Sequence, residues 1–593
     1  MSHRASRPPP LTDPAALAAH ATMVAALRQP GACAGAPGAS GLIETHLSSL
    51  VLAGAQVYKL KKPIVTGFVD FSTLEARHEA CEQELRLNRR TAPRWYLAVV
   101  AVRQTTSGAR IALAGDSVAA GAPVLDWAVH MRRFDDNQRL DRLAQRGELT
   151  AEMIGRLAET VARFHAQQVP APPGYGRAEA TRHWARENLE ELATLVQGDA
   201  DQQAVTALQR WTEQRGAALA GLMDLRCRTG HVREVHGDLH LGNVFWFEGA
   251  PVLFDALEFN DSLRHIDTLG DLAFCFMDLL ALGQPRLAWR FISNALEASG
   301  DWAALPLLSW WAVYRAAVRA KVALLGAAGL GAAGSGDAAQ RPALDGQVQR
   351  YLAVAAGLAG LGQPQVGGSS GVAAATSPNS APSPVHRPAP SPAPDPANGL
   401  AATAATAAPS SLRLVLMFGL AGAGKSTVAA ALAERLGAVR LRSDVERKRL
   451  FGATPTARTV PGLYSLDATR RTYERLQELA HEALGAGVSV VVDAASLRRG
   501  ERDGMREVAA QHGAEFTLLA CTAPPAVLLT RVQLRQRADN DASDATPEVL
   551  SFQQGVAEWP GDDEAADILR LNTDLSRSAL AALTETLVVG VKV

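Results

Sequence analysis

The sequence has no paired-cysteine pattern. Its five cysteines (Cys33, Cys81, Cys227, Cys275 and Cys521) are scattered, odd in number and form no CxxC. That set argues against a disulfide framework and for a reducing compartment. Long apolar runs are also missing. The most apolar stretch of the first half, LAFCFMDLLALG at 272–283, is too short to span a bilayer and carries Asp278. No apolar segment follows the basic residues of MSHRASRPPPLTDP, so no signal peptide is expected there. An excess of one charge is absent too. The net charge is −1, which gives no global field toward nucleic acid or membrane. No fixed-period repeat occurs, so a solenoid is not expected. A cytoplasmic chain without membrane contact is the expectation, and its oligomeric state stays open.

What is present is a chain of 593 residues, 47% hydrophobic and 20% charged, which is ordinary for a globular protein but too long for one core. Residues 363–411 are poor in large apolar side chains and rich in Pro, Ala and Ser. Such a segment cannot offset its ordering entropy by burial and reads as a flexible linker. The division is therefore a loosely ordered N-terminus (1–39), a first domain (40–362), the linker (363–411) and a second domain (412–593). The first domain opens with strand-like runs (LIETHLSSLVLAG, AQVYKL, WYLAVVAVRQ, WAVHMRRF) and turns helical after about Glu148. Strands first and helices afterwards predict an α+β domain of two lobes. The second domain alternates strand and helix, which predicts βαβ units and a parallel sheet.

The second domain begins with GLAGAGKST, a match to G-x-x-x-x-G-K-[ST] between an apolar strand and an amphipathic helix. Gly419, Leu420, Ala421, Gly422, Ala423, Gly424, Lys425, Ser426 and Thr427 are the candidate phosphate loop. Lys425 would reach the β/γ-phosphates of ATP, and the Ser426 hydroxyl would bind Mg²⁺. VSVVVDAAS puts Asp493 at a buried strand tip, where a carboxylate can approach that metal. SDVERKRL offers Asp444 to take a proton from a substrate hydroxyl and Arg447 to hold an anionic group. RVQLRQR puts Arg531 and Arg535 on one helical face, able to close over phosphates. Segment 412–593 resembles the P-loop kinase family that includes zeta-toxin-like and polynucleotide-kinase-like proteins. The resemblance implies that Asp444 is the general base and that Arg531 and Arg535 form the lid.

The first domain carries HGDLHLGNV at 236–244. Histidines four apart would suit zinc on a helix, but Gly237 and Gly242 argue for a loop, and no HExxH or cysteine pair completes a site. His236, Asp238 and Asn243 instead meet H-x-D-x-x-x-x-N, in which the Asp accepts a hydroxyl proton and the Asn binds Mg²⁺. VLFDALEF supplies Asp255 as the second metal carboxylate. Upstream, QVYKLKK offers Lys59 as the phosphate lysine, with Lys61 on the same strand face. ARHEACEQELRLNRR offers Glu84 as its partner, with Glu82 as second choice. Residues 40–360 resemble the aminoglycoside phosphotransferase and choline kinase superfamily, through HGDLHLGNV, FDALEF and NDSLRHIDTLGDLAF. That resemblance implies a small-molecule kinase in which Asp267 and Asp271 buttress the catalytic loop; the loop reading itself has His236 orient the loop and His240 incidental to catalysis. No G-x-G-x-x-G precedes Lys59, so Ser48 or Ser49 and backbone amides would meet phosphates there. The whole chain resembles a bacterial family of fused phosphotransferase-like and ATP-binding proteins.

The expected fold is thus an α+β protein-kinase-like two-lobed domain followed by an α/β P-loop NTPase domain with a parallel sheet. The expected function is ATP- and Mg²⁺-dependent phosphate transfer to hydroxyls of small molecules. The acceptor pocket of the first domain should come from the helical segment carrying Trp310, Trp311, Tyr314, Arg315 and Arg319. A nucleotide-gated regulator with one inactive domain is an alternative. So is a nucleic-acid 5′-end kinase that uses Arg440, Arg442, Arg447, Lys448 and Arg449, although charge balance and the lack of interleaved aromatics disfavour it.

Overall fold

The computed structural model describes residues 12–33, 38–66, 69–106, 108–111, 122–332, 340–361, 412–454, 457, 463–538, 545–575 and 579. The expected linker lies outside the described residues. The first 39 residues, expected to be loosely ordered, instead include a helix, α1 (Pro14–Leu27). The Asp13 carboxylate caps it by accepting from the Ala15 N–H at 2.9 Å. Val24 and Leu27 bury against Val51, Tyr58 and Leu60 of a sheet distant in sequence. That tertiary burial, not the local Ala-rich sequence, accounts for the order.

Six strands form the first sheet: β1 (Gly41–Glu44), β2 (Ser48–Ala53), β3 (Gln56–Lys61), β4 (Tyr96–Thr105), β5 (Gly108–Ile111) and β6 (Val124–Arg132). Their order is β1-β2-β3-β6-β4-β5, with every neighbour antiparallel. The helix α2 (Leu74–Arg89) packs across β6 and β4. Two-residue alternation sorts the faces of β2 and β3. Ser49, Val51, Tyr58 and Leu60 turn toward α1, whereas Ser48, Leu50, Lys59 and Lys61 turn toward a cavity.

The helical lobe runs through α3 (Leu140–Gln145), α4 (Ala151–Gln167), α5 (Ala178–Leu195) and α6 (Asp199–Arg228). Four short strands follow: β7 (Val232–Glu234), β8 (Val244–Phe247), β9 (Ala250–Leu253) and, after α7 (Asp261–Arg264), β10 (His265–Asp267). They pair antiparallel as β7 with β10 and β8 with β9, and so brace the loops on either side. The lobe ends with α8 (Thr268–Ala281), α9 (Pro285–Ser299), α10 (Leu308–Ala332) and α11 (Gln340–Leu358).

The second domain is β11 (Arg413–Phe418), α12 (Lys425–Leu436), β12 (Ala438–Arg442), α13 (Ser443–Leu450), α14 (Leu466–Gly485), β13 (Ser489–Asp493), α15 (Arg499–Gln511), β14 (Glu515–Thr522), α16 (Pro525–Ala538), α17 (Pro547–Val556) and β15 (Ile568–Asn572). Its sheet has the order β12-β13-β11-β14-β15 and is parallel throughout, as the alternation predicts. The central β11 is buried from Leu414 to Phe418, so its near-continuous apolar run suits a strand covered on both faces.

The two domains pack together through α9, which lies against α12 and β12. Arg290 pairs with Glu434 at 2.5 Å, and the Arg440 N–H donates to Ser293 Oγ at 3.0 Å. Trp302, buried just before α10, donates from Nε1 to Glu446 of α13 at 3.1 Å.

Candidate functional site

The first site forms where β2, β3, the loop 236–243 and α10 meet, around a cavity of about 890 Å³. Lys59 Nζ donates to Glu84 at 2.9 Å and to Asp255 at 2.5 Å. Lys61 Nζ donates to the other Glu84 oxygen at 2.5 Å and also to Glu258. Glu84 therefore bridges both lysines, and only Lys59 reaches Asp255. Glu82 is on the surface, 3.6 Å from His78. Burial would raise the Glu84 pKa, but Lys59 and Lys61 outweigh it and hold the carboxyl at about 2. Burial pushes the Glu258 carboxyl upward, with Lys61 opposing.

Asp255 has a left-handed backbone, with φ 61°. Its N–H donates to Tyr96 Oη at 3.2 Å, and the next N–H donates to Asn88 Oδ1 at 2.9 Å. Those bonds keep a costly conformation in place and aim the carboxylate at Lys59. Asn88 was not anticipated from sequence. Its spacing of four from Glu84 on one helix face is the signal that could have found it.

Asp238 lies across the cavity from Lys59. Asn243 Nδ2 donates to its carboxylate at 2.9 Å, and His240 Nε2 is 3.6 Å away. Burial opposes ionisation of Asp238, but His240, Arg319 and His236 more than offset it and hold the carboxyl below its usual range. A carboxylate so held can accept a proton at neutral pH. The two histidines do not converge. His236 Nε2 meets the Phe254 carbonyl at 2.9 Å, whereas His240 Nδ1 accepts from the Gly242 N–H at 3.1 Å. His240 caps the turn and flanks Asp238.

Asp271 accepts from the N–H groups of His236 and Gly237, each at 2.9 Å, and meets His165 Nε2 at 3.1 Å. Asp267 does something different from the buttress that the resemblance implies. It takes Arg226 at 2.6 and 2.8 Å and caps α8, which ties α6 to the lobe. Asp278 does hold the loop, accepting from the Leu241 N–H at 2.9 Å. Of the two serines, Ser48 lines the cavity, whereas Ser49 turns away to His20 at 3.0 Å. Tyr314, Arg315 and Arg319 line the cavity. Trp310 is core, its Nε1 bonded to the Thr212 carbonyl at 3.0 Å.

In the second site the loop 419–424 joins β11 to α12. Lys425 Nζ donates to the carbonyls of Gly419 and Leu420, each at 2.9 Å. Burial lowers its pKa, and Asp493, Cys521 and Asp444 oppose the shift. Ser426 Oγ donates to Asp493 Oδ1 at 3.2 Å, and Asp493 Oδ2 is buried without a hydrogen-bond partner. A buried carboxylate oxygen without a hydrogen bond, beside a hydroxyl, is a hard oxygen pair that fits Mg²⁺. In the first site the oxygens of Asn243 and Asp255 are of the same kind, and Asp255 keeps 39% of its side chain exposed. Asp444 occupies the first turn of α13, partly exposed, and the N-cap position there is Arg442. Arg447 stacks 4.8 Å from the Tyr464 ring, and its Nε is buried without a partner. Gln553, unanticipated from sequence, accepts from the Ala421 N–H at 2.7 Å.

Two expectations change here. Arg531 is tied to the loop itself, donating to the Gly422 carbonyl at 3.3 Å and to the Thr573 carbonyl at 2.7 Å, rather than standing apart as a lid. Arg535 acts on Lys425 through its charge. The basic run along β12 and α13 does not form a surface patch. Arg442 pairs with Glu297 at 3.3 Å, Arg449 pairs with Glu446, Arg440 is mostly buried beside Glu297, and Lys448 is fully buried.

Residues 68–307 match the phosphotransferase enzyme family, and residues 414–560 match an AAA domain. Uncharacterized proteins of Mycobacterium bovis (strain ATCC BAA-935 / AF2122/97) and Mycobacterium tuberculosis (strain CDC 1551 / Oshkosh) are each 30% identical over 526 residues, covering 87% of this chain and 90% of the relative. Among solved structures, the chain is similar to an APS kinase of Mycobacterium tuberculosis (24% identity, TM-score 0.23, 30% of this chain and 98% of that one). It is also similar to a gluconokinase from Sinorhizobium meliloti 1021 (22% identity, TM-score 0.22, 30% and 97%). No helix among the described residues is long and apolar enough to cross a membrane.

Proposed function

The chain belongs to one family with these mycobacterial proteins and joins a phosphotransferase-family domain to a P-loop kinase-like domain; from that premise we propose a bifunctional ATP-dependent kinase that phosphorylates hydroxyls of small molecules. The observation that carries this reading is the convergence of Lys59, Asp255, Asp238 and Asn243 on one cavity. In the first site Lys59, held by Glu84, binds phosphate oxygens. Asp238 takes the proton of the acceptor hydroxyl as its oxygen bonds to the γ-phosphorus and the bond to the leaving ADP oxygen breaks. In the second site Lys425 and the loop amides hold the phosphates, Arg531 and Arg535 neutralise charge, and Asp444 is the base. Asn243 and Asp255, and separately Ser426 and Asp493, would hold Mg²⁺, which supplies charge neutralisation when bound.

The test uses the full chain and labelled ATP with a panel of sugars, amino sugars, choline-like alcohols and nucleosides. Asp238→Asn and Lys425→Ala should each abolish transfer to a different acceptor. Unaltered transfer in both variants would sink the division of labour. The regulator reading draws on one contact chain: Ser426 to Asp493, Asp493 to Arg442 at 3.9 Å, and Arg442 to Glu297 of the first domain. Saturable ATP binding without any stoichiometric transfer would favour it.

A further inference from the structure

The first cavity contains a buried cation that has no counter-ion among the described residues. Arg315 on α10 is 4% exposed and lines the cavity. Its Nε donates to the Gly270 carbonyl at 3.2 Å. Its guanidinium lies 4.8, 5.6 and 5.5 Å from the ring centroids of Phe274, Trp311 and Tyr314. Nη2 is buried and has no hydrogen-bond partner. Among the described residues no carboxylate pairs with Arg315. Of the other buried arginines, Arg77, Arg226, Arg264 and Arg502 meet carboxylates at 2.8, 2.6, 3.1 and 2.7 Å, and only Arg447, against Tyr464 in the second domain, resembles Arg315 among the described residues.

Arg319, one turn further along α10, lines the same cavity. Its Nε reaches Tyr351 Oη at 3.3 Å, and its Nη1 lies 3.1 Å from His240 Nε2. It too makes no carboxylate pair among the described residues, although Asp238 and Asp278 act on it at longer range. Spacing of four puts both guanidinium groups on one helix face. Glu187 and Glu191 border this half but stay partly exposed, and Glu191 is already paired with Lys321 at 2.7 Å. A guanidinium withdrawn from water calls for an anion, and two forks side by side match the oxygens of a carboxylate or phosphate.

We propose that Arg315 and Arg319 form an anion subsite, so that the first site's acceptor carries a carboxylate or phosphate on the same molecule as the hydroxyl presented to Asp238. This deepens, and rests on, the kinase reading of that site. The test titrates the full chain, with AMPPNP and Mg²⁺ saturating, with D-glucose, D-glucosamine, D-glucuronate and D-glucose 6-phosphate. Fluorescence is the readout, since Trp184 and Trp311 lie beside Arg315. One or both anionic sugars should bind at least about tenfold more tightly than glucose. Which of the two binds more tightly separates carboxylate from phosphate. Arg315→Met should remove that preference while AMPPNP affinity is kept, and Arg315→Lys should restore part of it. If Arg315→Met does not fold, Arg319→Met should show the same loss. Equal binding of neutral and anionic sugars by the wild-type chain overturns the subsite. Anion binding without phosphate transfer keeps the subsite and removes the kinase reading. Transfer with no anionic preference does the reverse.

Discussion

Glu84 lies between two ammonium groups, 2.9 Å from that of Lys59 and 2.5 Å from that of Lys61, and its side chain is fully buried. Glu84→Gln leaves both lysines short of charge, and such a loss costs about 3–5 kcal/mol. Urea unfolding of the first domain should shift accordingly, and an unchanged midpoint would refute the bridge. The depressed pKa of Glu84, about 2 against about 4.3 for an unfolded glutamate, sets a pH window. Its stabilisation is complete above the unfolded value and is lost as pH falls toward the folded value. The wild-type chain should therefore lose more stability between roughly pH 4.5 and 2 than the Glu84→Gln variant. Asp238 is also held below its usual range, so first-site kcat/KM should be flat from neutral pH down to about 5. An acid limb near pH 6.5 would point to a histidine as base instead. Asp238→Asn should lower first-site transfer by about 10²–10⁴-fold, measured with acceptor and ATP both saturating.

At the scale of elements, each site sits where a strand ends against a loop whose backbone is tightly held. In the second site, Gly422 has φ 80°, and a Cβ there would come within 2.6 Å of the Leu528 carbonyl oxygen of α16. Gly422→Ala must strain the loop or push α16 away, and with it Arg531. Nucleotide affinity of the second site should fall at least about tenfold, read by titration of a fluorescent ATP analogue in the Lys59→Met background, which removes the first site's phosphate-binding lysine. Retained affinity would show that the loop has slack. In the first site the pleat of β3 was readable in advance: Lys59 and Lys61 share a face by alternation. Which of them meets Asp255 was not, because that carboxylate arrives from a strand end nearly 200 residues later.

For the whole molecule, the domain boundary read from composition suggests two independent machines, yet α9 of the first packs on α12 and β12 of the second. Arg290 and Glu434 face each other there, each largely withdrawn from solvent. Arg290→Glu should destabilise the chain by placing two carboxylates together. The exchange Arg290→Glu with Glu434→Arg should recover most of the loss, with a coupling of about 0.5–3 kcal/mol in thermal unfolding. Additive losses would mean that the two domains do not meet through this pair. The same surface takes up Arg442 and Arg449, which removes the main support for a nucleic-acid surface.

The sequence by itself determined the two fold classes, the phosphate loop and the Asp238–Asn243 spacing. Each depends on residues a few positions apart, whose backbone geometry is local. Tertiary structure alone decided the rest. It ordered α1, whose apolar residues find partners on a sheet and a loop distant in sequence. It turned much of the basic run 440–449 inward, because Glu297 waits across a domain interface that no local pattern encodes. It also left Arg315 without a carboxylate partner among the described residues, and a missing partner becomes visible only when the neighbours are placed in space.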